Sequence, residues 1–312
     1  MQGFIIVAPL VILMTLGAVL RRTGFLVESD VACMAKLIFW LVSPAVLFRG
    51  AMQLEMDWSR HVGYAAAMYG SAILVAIGVY LFGRFVLCNA GGKVLPVSVL
   101  SSFRSNSIMV GIPVVMLAMG DDGLVPIAIY FAVTEVGYNL LSIMGAEFSR
   151  GGAPKLREQL PKALRGVAVN PLIWASLSGL IVSAFGFHAL PGPLATAFTM
   201  ITNMAGGISI LMIGASLDFS KIGRNLKQLL PDCAVRLLIH PALLYAFFRV
   251  FQTDPPMMQA AMLITAAPAP NIAFVFAKAM GFDAEYGAGL IGITTVAFVV
   301  TMPVWLNILG LV

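Results

Sequence analysis

The sequence predicts an all-α membrane protein of about ten transmembrane helices, arranged as two inverted five-helix repeats that each contain one broken helix. Three observations carry this: extreme apolarity, charge sorted to one side, and a polar, proline-interrupted segment that recurs in each half. Of the 312 residues, 60% are hydrophobic and only 11% charged, against about 45–50% and about 25% in soluble domains. The mean hydropathy is +0.95. A soluble fold of this size has too little interior to hide that much apolar surface. At roughly 20 apolar residues per span, the chain has room for about ten helices, short connections and no separate soluble domain.

Apolar runs bounded by charge, Gly or Pro fall at 3–20, 31–50, 62–83, 94–119, 123–146, 167–187, 194–217, 230–251, 257–280 and 287–311. The first run has no basic segment before it, and Arg21 and Arg22 follow it. That order is the reverse of a cleavable signal peptide, so the first run reads as a retained helix.

Alternating the connections between two sides places fourteen Lys and Arg residues on one side and only Arg49, Arg60 and Arg249 on the other. The positive-inside rule then puts both termini outside, in the periplasm, and the basic connections in the cytoplasm. An odd number of helices per half forces the second half to enter the membrane inverted. The division is a first repeat at 1–148, a cytoplasmic hinge loop at 149–166 (SRGGAPKLREQLPKALRG) and a second repeat at 167–312. The hinge reads as a solvated inner loop touching lipid headgroups. This topology also accounts for the net charge of +5. The basic residues are not interleaved with aromatics in the manner of a nucleic-acid surface, so the bilayer is the expected partner and nucleic acid is not. Cys33, Cys88 and Cys233 have neither metal-ligand nor disulfide spacing, and no cofactor or metal is expected.

The fourth run ends in VVMLAMGDDG and the ninth in FVFAKAMGFDAE, which aligns Ala118-Met119-Gly120 with Ala279-Met280-Gly281 at an offset of 161 residues. Both are the polar, Pro-containing members of their halves. Paired interrupted spans in corresponding positions point to a transporter binding site.

The fourth run reads VLPVSVLSSFRSNSIMVGIPVVMLAMG. Arg104 near its middle costs roughly 2.5–3.5 kcal/mol on insertion scales unless it faces protein or water. Pro113 has no amide hydrogen and disfavours the α conformation at Ile112, and Gly111 eases unwinding, so a break is expected there. Irregular backbone at membrane depth persists only where it lines a cavity or is covered by protein. Arg104, Asn106, Ser107, Gly111 and Pro113 are therefore candidate substrate contacts. A merely kinked helix with back-bonded serines is the plainer alternative. In the ninth run, MMQAAMLITAAPAPNIAFVFAKAMG, Pro268 and Pro270 flank one alanine, and Asn271 follows as a cap or a ligand for the second half-helix. The amide-rich start of that half-helix attracts a carboxylate. Two such breaks crossing near the midplane make a site for a small organic anion.

Other polar residues carry two readings each. Glu135, with Asn139 one turn later, either binds H+ or Na+ as a coupling ion or pairs with Arg104. Asn203 beside Gly206 and Gly207 either reaches the crossover or serves helix packing. Pro44 kinks the second run and shapes the cavity wall or touches the ligand. His240, one turn after Arg236, is a packing histidine or a proton carrier. An enzyme is not expected, since HExxH and paired intramembrane aspartates are both missing from the sequence. A channel needs a continuous polar stripe, whereas polarity here concentrates at two points.

The segments LMTLGAVLRRTGFL, FWLVSPAVLF, NSIMVGIPVVMLAMG, AAPAPNIAFVFAKAMG and TTVAFVVTMPVW, in this order over essentially the whole chain, resemble the auxin efflux carrier family of membrane transporters. That family includes plant auxin exporters and bacterial malonate or malate transporters and is similar in fold to the bile acid sodium symporters. The resemblance implies a scaffold or dimerisation domain from spans 1, 2, 6 and 7, a transport domain from spans 3–5 and 8–10, and elevator-like alternating access in a homodimer. It also implies an anion held at Asn106, Gly111, Pro113, Pro268, Pro270 and Asn271. The hinge is shorter than the long loop of many plant auxin carriers, which favours a carboxylate such as malonate or malate over an auxin-like aromatic carboxylate. An anion channel is the remaining alternative.

Overall fold

Proline sets much of the local structure. A proline inside a helix removes one amide donor, and its ring crowds the carbonyl four residues back, a conflict that a wider π turn relieves. In a computed structural model describing residues 2–54, 61–86, 92–149, 168–217 and 226–311, this happens three times. The π turns Ile38–Val42, Ser107–Gly111 and Val235–Ile239 each end two residues before a proline, at Pro44, Pro113 and Pro241.

The described residues form helices and connecting segments, with no strand among them. In chain order these are α1 (Gln2–Arg22), α2 (Glu28–Leu37), α3 (Ser43–Met52), α4 (Val62–Leu81), α5 (Leu95–Phe103), α6 (Ile112–Met119) and α7 (Leu124–Ser149). Then follow α8 (Pro171–Ala184), α9 (Gly192–Ser216), α10 (Leu226–Ala234), α11 (His240–Val250), α12 (Pro255–Thr265), α13 (Ile272–Met280) and α14 (Ala284–Ile308). The hinge expected at 149–166 lies outside the described residues apart from Ser149, as do Arg60, Cys88 and several of the basic loop residues.

Six helical stretches among the described residues are long and apolar enough to cross a membrane: Glu28–Met52, Val62–Phe85, Leu95–Ala146, Gly192–Ser216, Leu226–Val250 and Ala284–Ile308. The 52-residue stretch Leu95–Ala146 joins two of the expected apolar runs through a short 3-10 turn at Gly120–Gly123. Helix α8 is a shorter apolar helix, and α12 and α13 are separated by the non-helical residues 266–271. The outward faces are apolar at helical spacing: Ile12, Leu16 and Val19 on α1, Trp174, Leu177 and Ile181 on α8, and Val296, Val300 and Val304 on α14 are all exposed. Stripes of this kind are unfavourable in water and natural against lipid. The protein is an integral membrane protein with several apolar spans.

Helix packing follows small residues. Helix α1 lies along α9 where Gly17 leaves room for the Leu211 carbonyl and Gly214 for that of Met14, a close approach of the kind small residues permit in membranes. Helix α3 lies along α8, α4 along α5 and α11, and α7 along α3 and α5. The two glycines that the sequence aligns both end helices at positive φ: Gly120 (φ 59°) ends α6 and Gly281 (φ 74°) ends α13, conformations that a side chain would strain.

Candidate functional site

Two interruptions define the site, and each arises where backbone partners change. Helix α5 stops at Phe103 because Arg104 turns extended (φ −87°, ψ 135°). The Asn106 amide, which would otherwise continue the helix, donates instead to the Pro268 carbonyl at 2.8 Å. The two interruptions therefore meet through a main-chain hydrogen bond. On the other side, α12 stops at Thr265. The Ala269 amide donates to Thr294 Oγ1 at 3.0 Å, while Pro268 and Pro270 have no amide hydrogen to offer. The break thus spans both prolines: Pro268 supplies the crossing carbonyl and Pro270 the cavity wall.

The first break lies earlier than the sequence suggests. Unwinding was expected at Gly111 and Ile112, before Pro113; both residues are helical, and the chain leaves the helix at Arg104–Asn106. The π turn at Ser107–Gly111 accommodates Pro113 without a break. Gly111 serves packing: a Cβ there would sit 2.9 Å from Ile264 Cγ2 and 3.2 Å from its Cα. Asn106 caps the new turn, its Oδ1 accepting from the Met109 amide at 3.4 Å while its carbonyl accepts from Val110 and Gly111 at 3.0 Å each. Asn271 precedes α13 without a side-chain capping bond, leaving its carboxamide for the cavity.

That cavity has a volume of about 490 Å³, within the range of small-molecule sites. Polar groups on one side come from Arg104, Asn106, Ser107 and Asn271, and on the other from Glu135, Asn139, Ser142 and Asn170. Phe39, Ile108 and Phe276 are among its apolar walls. Arg104 Nη1 donates to Asn139 Oδ1 at 2.6 Å and to Ser142 Oγ at 3.5 Å. Asn139 Nδ2 donates to the Glu135 carbonyl at 2.5 Å. The Glu135 carboxylate accepts from Asn170 Nδ2 at 2.9 Å, and Asn170 Oδ1 meanwhile caps α8 through the Leu172 amide at 3.0 Å.

The arrangement thus offers a cation, a carboxylate, four carboxamides and the first turns of two half-helices around one small space. Arg104, Asn106, Ser107, Pro270, Asn271, Glu135 and Asn139 are brought together there; Gly111, Pro113 and Pro268 stand behind them as framework. Asn203 is exposed on α9 and does not line the cavity. Pro44 follows the π turn Ile38–Val42, and it is Phe39 of that turn that reaches the cavity. The direct ion pair between Glu135 and Arg104 is not formed; among the described residues the one salt bridge joins Arg49 and Asp121 at 3.4 Å.

His240 lies elsewhere, fully buried, with Nδ1 3.1 Å from Arg236 Nη1. Arg236, itself 0% exposed, holds the ends of both first half-helices. Its guanidinium donates to the carbonyls of Ser102 (3.2 Å), Ala267 (3.2 Å) and Thr265. These carbonyls lost their usual partners when the chain left the helix, and a buried carbonyl without a donor costs about 1–3 kcal/mol. A positive charge also suits two converging helix C-termini. Arg236 is therefore the clamp that holds the two interruptions together.

A membrane-embedded helical chain whose interrupted helices meet at a small polar cavity is the architecture of a transporter. Residues 3–306 match the family model described as Membrane transport protein, and the chain belongs to that family, the auxin efflux carrier family that its motifs resemble. An uncharacterized transporter of Methanothermobacter thermautotrophicus is 23% identical over 300 residues, covering 96% of each chain. The uncharacterized transporter YfdV of Escherichia coli K12 is 20% identical over 324 residues, covering 97% of this chain and 96% of its own.

Proposed function

We propose that the protein is a secondary transporter that moves a small organic anion, a carboxylate such as malonate or malate, across a bacterial inner membrane by elevator-like alternating access. The observation that carries this reading is the cavity at the meeting of the two interruptions, where Arg104 keeps free donors and the half-helix from Asn271 begins. Guanidinium forks and helix N-termini both favour carboxylate oxygens. Glu135 is the group on the wall suited to hold a coupling H+ or Na+.

The proposed architecture is ten spans in two inverted halves, 1–148 and 167–312, joined by the cytoplasmic hinge, with both termini outside. Recurrence of helix, break and helix supports it: α5 and α6, followed by α7, correspond in order and approximate length to α12 and α13, followed by α14. The proposed scaffold, formed by spans 1, 2, 6 and 7, corresponds to α1, α2–α3, α8 and α9. The contacts of α1 with α9 and of α3 with α8 support this grouping, and a homodimer through this scaffold is proposed with it.

The test is a thermal-shift screen of purified protein against mono- and dicarboxylates, because a ligand that binds only the native state raises its midpoint. A carboxylate should stabilise the wild-type protein and leave Arg104→Ala unmoved. Equal stabilisation of both proteins would defeat the assignment.

A further inference from the structure

The cavity contains a cation and an anion that do not neutralise each other. Arg104 and Glu135 both line it, yet no ion pair joins them, since the salt bridge among the described residues is Arg49–Asp121. Asn139 stands between them and engages both, through its Oδ1 to Arg104 and its Nδ2 to the Glu135 main chain. Neither charge is exhausted by these contacts. Arg104 spends Nη1 on Asn139 and Ser142, and its Nε and Nη2 have no acceptor among the described residues. Glu135 receives one hydrogen bond, from Asn170 on Oε1, and its second carboxylate oxygen has no donor among the described residues. Glu135 and Asn139, the partner of Arg104, are four residues apart on α7, about 6 Å of rise, and Arg104 and Glu135 line the same cavity, so a single small molecule can touch both free ends.

We infer that the cargo is a carboxylate that also carries an amino or hydroxyl group, with its carboxylate at Arg104 and its donor at Glu135. This rests on the carboxylate reading above and narrows it. With Glu135 ionised and holding no coupling ion, a bare dicarboxylate lying in the same direction sets its second carboxylate against it, and like charges at close range in a confined cavity repel. An ammonium or hydroxyl group at that point instead makes a charge-assisted hydrogen bond. The inference favours a malate-like or amino-acid-like cargo over a malonate-like one.

The primary comparison sets matched ligands against the wild-type protein and so relies on no variant to fold; two variants then assign the contacts. Calorimetric titration of the purified full-length protein would compare succinate, malate and aspartate, and separately propionate, lactate and alanine. The hydroxylated or aminated member of each series should bind at least about tenfold more tightly than the bare acid, the size expected for one charge-assisted hydrogen bond. Glu135→Gln should erase that preference while Arg104→Gln weakens every ligand. Succinate and propionate binding as tightly as their substituted counterparts would overturn the inference, and the carboxylate reading would survive provided Arg104→Gln still weakened binding. Binding of all six ligands unaffected by Arg104→Gln would remove the carboxylate reading, and the inference with it.

Discussion

Replacing Arg236 by methionine keeps most of the aliphatic volume and deletes the guanidinium. Three main-chain carbonyls, those of Ser102, Thr265 and Ala267, then lose the donor they have in place of helical partners. At about 1–3 kcal/mol per orphaned buried carbonyl, the gross loss is about 3–9 kcal/mol. Removing a buried charge returns several kcal/mol of desolvation, which leaves a net destabilisation of about 3 kcal/mol. The affected groups sit at the ends of α5 and α12, where Asn106 meets Pro268, so the loss falls on the framework of the cavity as well as on global stability. Thermal unfolding in detergent should give a clearly lower midpoint for Arg236→Met, with Arg236→Lys intermediate, because one ammonium cannot reach three divergent carbonyls. A midpoint for Arg236→Met equal to that of the wild-type protein would refute the clamp.

Three further outcomes follow from local geometry. Gly111→Leu forces a side chain into Ile264 and should cost about 1–3 kcal/mol by overpacking, read as a lowered unfolding midpoint. Asp121→Asn breaks the ion pair with Arg49, but Asp121 is 66% exposed, so its effect on the midpoint should be near the limit of detection for surface pairs. Val300, 68% exposed on the apolar outer face of α14, is a lipid-facing position. Val300→Lys should then impair membrane insertion, measured as the membrane-integrated fraction, whereas a solvent-facing position would tolerate it.

The proline-linked features were legible because proline acts locally. Pro44 and the Pro268–Pro270 pair coincide with a π turn and a break. Pro113 misled for the same reason: its conflict is resolved by a π turn, and the break is set by the tertiary bond from Asn106 to Pro268, which no local pattern encodes. Arg104, Asn106 and Asn271 stood out as polar groups in an apolar segment, and they do share the cavity. Asn170 escaped notice because Asn before Pro171 reads as an ordinary helix cap; it is one, and its amide also reaches Glu135. The role of Arg236 was hidden because its partners are backbone carbonyls 29, 31 and 134 residues away. The available signal was a cation four residues before His240 within an apolar span.

The central claim is that Arg104 and the start of α13 at Asn271 bind a carboxylate on its way across the membrane. Its most direct test is uptake of a labelled carboxylate, chosen by the thermal-shift screen, into proteoliposomes containing wild-type, Arg104→Ala or Asn271→Ala protein, each verified as folded and reconstituted to the same density. Uptake by the wild-type protein and its loss in both variants is the predicted result; undiminished uptake in both variants would contradict the site.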